Sequence, residues 1–175
     1  MKKLIFISLL FSILSLSVSA QKPTKAEKAA QLEQEFQQTR QLIESNHFQF
    51  ELNRVYPQDG QDLSRFNPRG KFVITDSVAK GTLPFFGRAY SLPYGEGGGI
   101  EFDGVMKEQS LKIEHKKKRK ILIYRFSITA KNDTYQISME ISGGGNCSVN
   151  LNSNNRAQIS YSGTVSPVKD ETGKS

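Results

Sequence analysis

Two hydrophobic periods divide the chain. Between Gln21 and Ser45, Ala29, Leu32, Phe36 and Ile43 recur near helical spacing, and Gln31, Glu33, Gln34, Gln37, Gln38 and Gln41 fill the other face. Steps of three and four place side chains on one stripe, which predicts a single amphipathic helix over 24–45. Thr24 and Glu27 stand three apart at its start. That is a capping box, in which each side chain satisfies a free backbone donor of the other. A stripe this narrow packs on a sheet; a partner-binding helix is the other reading.

After Ser45-Asn46 the period drops to two. Phe48, Phe50 and Leu52 alternate with Gln49, Glu51 and Asn53, as in a strand with one buried face, and Pro57-Gln58-Asp59-Gly60 closes it with turn chemistry. Lys71 to Thr75 and Val78 to Leu83 read as short strands about a turn at Asp76-Ser77, with Asp62 to Pro68 an irregular connection. Ile100 and Phe102 alternate, Asp103-Gly104 reads as a turn, and Leu111 and Ile113 resume the alternation. Leu122, Tyr124, Phe126 and Ile128 predict a long strand whose start, at Ile121 and Ile123, is apolar on both faces. Tyr135 to Ile141, Cys147 to Leu151 and Ile159 to Tyr161 follow, separated by turns at Lys131-Asn132-Asp133, Gly143-Gly144-Gly145-Asn146 and Ser153-Asn154-Asn155.

The fold this predicts is mainly β with one N-terminal helix. Short strands joined by tight turns make an antiparallel up-and-down meander of about eight strands. Such a sheet either closes into a barrel, which removes its edges, or stays open and strongly curved. The helix plugs one end or covers an open side in the first case and lies on the concave face in the second.

The flanks change the compartment. Lys2 and Lys3, the apolar run Leu4 to Leu16 and the small residues Val18-Ser19-Ala20 form a secretory signal pattern, with cleavage expected near Ala20. The mature protein is then expected in the periplasm or secreted, as a single β-rich domain over 21–165 with a disordered polar tail over 166–175. No cysteine stands near the cut, so no lipoprotein anchor is expected, and Cys147, the single cysteine, forms no intramolecular disulfide. No further long apolar stretch predicts stable membrane insertion. The net charge of +7 includes Lys2 and Lys3. The remainder is too diffuse to predict a nucleic-acid partner.

The densest mixture of aromatic, proline and glycine residues runs from Pro84 to Gly104. Large rings between such residues either cover a core or bind a ligand. Phe85, Phe86, Arg88, Tyr90, Tyr94 and Phe102 are therefore the candidate binding residues. The expected ligand is small and apolar or amphipathic, held at a barrel mouth.

Three stretches carry a family resemblance: Ile43-Glu44-Ser45-Asn46-His47-Phe48-Gln49-Phe50; Leu83-Pro84-Phe85-Phe86-Gly87-Arg88-Ala89-Tyr90 with Pro93-Tyr94-Gly95 and Gly98-Gly99-Ile100; and Asn152-Ser153-Asn154-Asn155-Arg156 with Ile159-Ser160-Tyr161-Ser162-Gly163. Together they resemble the exported bacterial family called domain of unknown function 4251, typical of Bacteroides-like bacteria. The resemblance covers 25–165 and is most specific in its middle stretch. It implies a lipocalin-like barrel topology. It implies no activity, substrate or catalytic residue.

No catalytic constellation emerges from the residues. His47 and His115 are the two histidines, neither stands in a nucleophile motif, and both read as surface groups. Cys147 follows the strand pattern and reads as a small buried hydrophobe. Glu96, Glu101 and Asp103 match no calcium loop, so no metal is assigned. Gly95-Glu96-Gly97-Gly98-Gly99 continues into a strand rather than a helix, which argues against a phosphate loop. Neither an enzyme nor a cofactor is expected. Lys116 to Lys120 is the densest basic run and reads as a solvated hairpin tip, or as a contact for an anionic envelope surface. Two functions stay open: a non-enzymatic barrel binding a small ligand, and a solid-core envelope module that recognises protein or glycan.

Overall fold

The computed structural model describes residues 24–91, 98–116, 119–130 and 133–169. The expected signal peptide, Tyr94, Glu96, Lys117, Lys118, the Lys131-Asn132 turn residues and the tail from Asp170 lie outside the described residues. Helix α1 (Lys25–Glu44) is followed by strands β1 (His47–Pro57), β2 (Lys71–Thr75), β3 (Val78–Leu83), β4 (Ile100–Lys116), β5 (Arg119–Ala130), β6 (Asp133–Ser142), β7 (Asn146–Ser153) and β8 (Ile159–Pro167). A short 3-10 helix, Ser64–Phe66, lies between β1 and β2.

The chain divides into two units, one ending at Gln31 and one running from Leu32. In the first, the capping box forms as its spacing demands: Thr24 N donates to Glu27 Oε2 at 2.7 Å, and Glu27 N donates to Thr24 Oγ1 at 3.2 Å. The second unit holds the sheet. Every strand pairs antiparallel with the next, and β1 pairs with β8 to close an eight-stranded barrel. The seam runs from Phe48 opposite Pro167 to Pro57 opposite Ile159, so β8 continues two residues past Val165 because Ser166 and Pro167 find partners in β1.

The eight strands match the expected count, but one boundary differs from the sequence pattern. Asp103-Gly104 is not a turn; both residues sit inside β4, opposite Lys80 and Ala79 of β3. The inward positions of β4 are even at Ile100, Phe102 and Met106 but odd at Leu111, which packs against the core. A bulge between Lys107 and Ser110, with Glu108 at a φ of 53°, absorbs the change. One extra residue flips every later side chain to the other face, and this mimics a break between two strands.

Inward side chains fill the interior. Phe50 and Phe72 stack with centroids 5.0 Å apart, Phe72 meets Phe102 at 5.8 Å, and Phe102 meets Tyr135 at 6.2 Å. Phe72 and Phe102 belong to β2 and β4, and Gly81 of β3 pairs with both. The rings meet because Gly81 has no side chain: a Cβ there would lie 2.2 Å from Phe72 Cβ. Gly163 plays the same part for Phe50, whose ring carbons would lie 2.8 Å from an added Cβ. Phe48 of β1 reaches Tyr124 of β5 edge-on at 6.1 Å. Strands four apart in a ring of eight are opposite walls, so this contact crosses the whole interior.

From Leu32 onward, α1 covers the barrel end where β5 begins and β6 turns into β7. Phe36 and Ile43 are buried in the core cluster, and Gly143 lies so close that an added Cβ would be 3.2 Å from Phe36 N. The buried stripe is Phe36, Thr39 and Ile43. Leu32, expected in that stripe, is 61% exposed, one turn before Phe36. Asn46, at a φ of 49°, ends the helix and turns the chain into β1.

Candidate functional site

The described part of the aromatic–glycine segment closes the opposite end of the barrel. Ala89 pairs with Arg156 in an isolated antiparallel bridge. Tyr90 N donates to Asn155 O at 2.8 Å, and Ala157 N donates to Arg88 O at 2.9 Å. Tyr161, buried in the core, donates from its hydroxyl to Pro84 O at 2.9 Å. A backbone carbonyl thus satisfies the one polar atom of a buried ring. Burial holds the Tyr161 phenol well above its ordinary range.

The predicted site residues separate within this frame. Phe85 is half-buried against the core cluster, and the Arg156 guanidinium lies over its ring, 5.2 Å from the centroid. Phe86 is 39% exposed and Tyr90 63%, while Arg88 is exposed and ties the segment down through its carbonyl. Phe102 does not join them. It is buried between Phe72 and Tyr135, because it faces inward on β4. Tyr94 lies outside the described residues.

Sequence reasoning missed Arg156. It follows a polar turn, where an arginine normally faces water, yet it is only 5% exposed. Its Nη1 donates to Gly98 O at 3.5 Å, and its Nε, enclosed by protein, finds no acceptor among the described residues. The signal was present only indirectly, in its position within one of the stretches that carry the family resemblance.

A second feature lies on the outer face of β1–β4. A groove of about 810 Å3 is lined by Glu51, Arg69, Lys71, Lys80, Glu101 and Asp103 above a bed that includes Gly70, Val73, Gly81 and Thr82. Glu51 stands directly opposite Lys71, and Lys80 opposite Asp103, with Lys80 Nζ 2.6 Å from Asp103 Oδ2. The Asp103 hydrogen bond and charge raise the Lys80 pKa.

Elsewhere the chemistry is structural. Cys147 is buried, and burial with the nearby Glu140 charge pushes its thiol far above the range of a reactive thiolate. His47 and His115 are exposed. Among the described residues no group of three or more His, Cys, Asp or Glu gathers as a metal site. No described helix is long and apolar enough to cross a membrane. In the basic run, Lys116 pairs with Glu140 at 2.6 Å and Lys120 with Glu33 at 2.9 Å. Hydrogen bonds from Gln37 and Lys120 hold the Glu33 carboxyl below its ordinary range.

Fold and geometry define an eight-stranded antiparallel meander barrel, closed on itself, with a helix at one end and an aromatic segment at the other. A family model described as Domain of unknown function (DUF4251) matches residues 30–165, and the chain belongs to that family. It is similar to the crystal structure of a DUF4251 family protein from Bacteroides eggerthii, with a TM-score of 0.56 and 21% identity over 79% of this chain and 91% of that one. At that identity the likeness speaks for the fold alone. No curated protein matches the chain.

Proposed function

We propose that this protein is a non-catalytic envelope module that recognises another protein through the charged groove over β1–β4. The observation that carries the reading is the contact of Phe48 with Tyr124 across the barrel. Opposite walls that touch through their rings leave no ligand chamber at that level, so recognition falls to the outside. The groove is large, and its walls carry charges of both signs at fixed spacing. A polypeptide with complementary charges meets such a surface well. A glycan generally wants an exposed aromatic platform, and the only aromatic residue lining this groove, Phe102, keeps its ring in the core. The secretory pattern of residues 1–20 supports an envelope location for the module.

The test is site-specific photocrosslinking in the native host, with the crosslinker at Thr82 in the groove and, as a control, at exposed Gln136 of β6. A single protein captured at position 82 and not at 136 is the expected result. Equal capture at both positions overturns the reading. So does a stoichiometric small molecule inside the barrel, found by native mass spectrometry.

A further inference from the structure

The barrel is closed only where neighbouring strands overlap in length. β4 outruns the strand before it. β3 pairs with Ile100 to Val105 and then turns into β2, with one last bond from Met106 N to Ser77 O at 2.7 Å. The bulge at Glu108 follows, and from Ser110 to Lys116 β4 pairs with β5 alone. Among the described residues no backbone group outside β5 bonds the backbone of residues 107–116. Lys107, Glu108, Gln109 and every residue from Lys112 to Lys116 are exposed, with Ile113 at 41%. This is an open strand edge. In an antiparallel ladder every second residue turns its N–H and C=O away from the partner strand. Lys116 and Arg119 face each other across a two-residue connection, where the closing pair exchanges both bonds. Counting back by twos, Leu111, Ile113 and His115 turn their backbone groups to the open side.

We infer that this edge pairs with the same edge of a second copy of the chain, antiparallel, about a two-fold axis at Ile113. Because the free bonding groups alternate, only Leu111, Ile113 or His115 can stand opposite its own copy. Centred on Ile113, Lys112 lies opposite Glu114 of the second copy, and Glu114 opposite its Lys112. Leu111 then meets His115 and Ser110 meets Lys116, so no like charges face each other from Ser110 to Lys116. The two Ile113 side chains cover each other at the centre. Centred on Leu111, Glu108 would meet Glu114, and like charges directly opposite are destabilising. Centred on His115, the ladder runs out at the hairpin tip. Lysines and bulges also guard edges against chance pairing. Here the charges alternate in sign along Lys112, Glu114 and Lys116, which rejects a shifted copy and admits one in register. A two-fold pairing uses up this edge on both copies, so it ends at a dimer. It takes no residue from the groove over β1–β4, so it stands whether or not that groove binds a protein.

One strand pair buries less than the roughly 1,000 Å2 of a stable interface, so the dimer is a weak one, to be sought at high micromolar concentration. Sedimentation equilibrium of the folded protein should show monomer and dimer in exchange. Amide exchange at Leu111, Ile113 and His115 should slow as concentration rises. Lys112→Glu and Glu114→Lys, each alone, set like charges opposite each other and should weaken the dimer about tenfold. Mixed in equal amounts, the two variants are complementary and should restore it. A wild type that stays monomeric at millimolar concentration overturns the proposal; protection of the same amides by an unrelated extended peptide would then give the edge to another protein. Protection of those three amides already in the dilute monomer also overturns it, because the edge would then be covered. A dimer that both single variants leave intact overturns the register, and the edge with it.

Discussion

The two ends of the barrel are closed by different physics. At the helix end, Phe36 and Ile43 enter the core, and the polar atoms there have partners. Tyr124 is the example: its hydroxyl lies 3.1 Å from Asn46 Oδ1 and 3.0 Å from Gln109 Oε1. At the other end the cover is a strap of backbone hydrogen bonds over one half-buried ring and the Arg156 guanidinium, which no carboxylate pairs among the described residues. A core needs only apolar area and satisfied polar groups, and the helix end meets that description. The strapped end carries a charge that packing does not require.

Breaking the helix end should have the largest effect. Phe36→Ala removes a buried ring at the rim and is expected to cost about 3–5 kcal/mol, measured as a lower denaturation midpoint. A loss below about 1 kcal/mol would mean that α1 is not an integral cover. Between the ends, Gly81→Ala forces a Cβ against Phe72 and should cost about 1–3 kcal/mol. At the strapped end, Tyr161→Phe keeps the ring and loses its bond to Pro84 O. About 1 kcal/mol is expected by chemical denaturation, and faster amide exchange at Tyr90 and Ala157 should accompany it.

A pH limb sharpens the contrast further. Burial pushes the Tyr124 phenol up to about 12 from an ordinary 10. The folded state therefore keeps a proton that the unfolded chain gives up. This contribution is fully present below pH 10 and is lost as pH rises from 10 towards 12. The melting temperature of the wild type should drop more between pH 9 and 11 than that of Tyr124→Phe. Parallel curves would show that the phenol is not held neutral by the fold. The smallest effect is expected at Arg156. Arg156→Met should change stability by less than about 1 kcal/mol, because the lost contacts are offset by relief of a buried charge that no described carboxylate pairs. A loss above about 2 kcal/mol would make the guanidinium a clamp on the strap.

Alternation in the sequence made most of the barrel legible. Leu122 to Ile128 and Tyr135 to Ile141 face inward as their period requires, and Thr24 and Glu27 cap the helix as their spacing requires. The bulge at Glu108 was not legible, because a parity change in a polar stretch looks the same whether the chain turns or kinks. Nor was the separation of Phe102 from Phe85 and Phe86. Those residues share a segment in sequence, but β4 carries the ring of Phe102 into the interior. Arg156 was hidden for a third reason: its burial comes from a segment more than sixty residues earlier, joined to it by the Ala89 bridge and the hydrogen bonds that flank that bridge.

The seam between β1 and β8 has a kinetic consequence. Every other ladder joins strands that are consecutive in the chain, whereas this one brings Phe48 beside Pro167. Closing so long a loop costs entropy before any contact repays it, which sets the pace of folding. The meander from β4 to β7 is therefore expected to assemble first, with the β1–β8 seam zipping last. Pulse-labelled hydrogen exchange during refolding should show the amides of β5 and β6 protected before those of β8. Gln49 and Ser166, whose side chains bond across the seam at 3.2 Å, mark the place where that last step is completed.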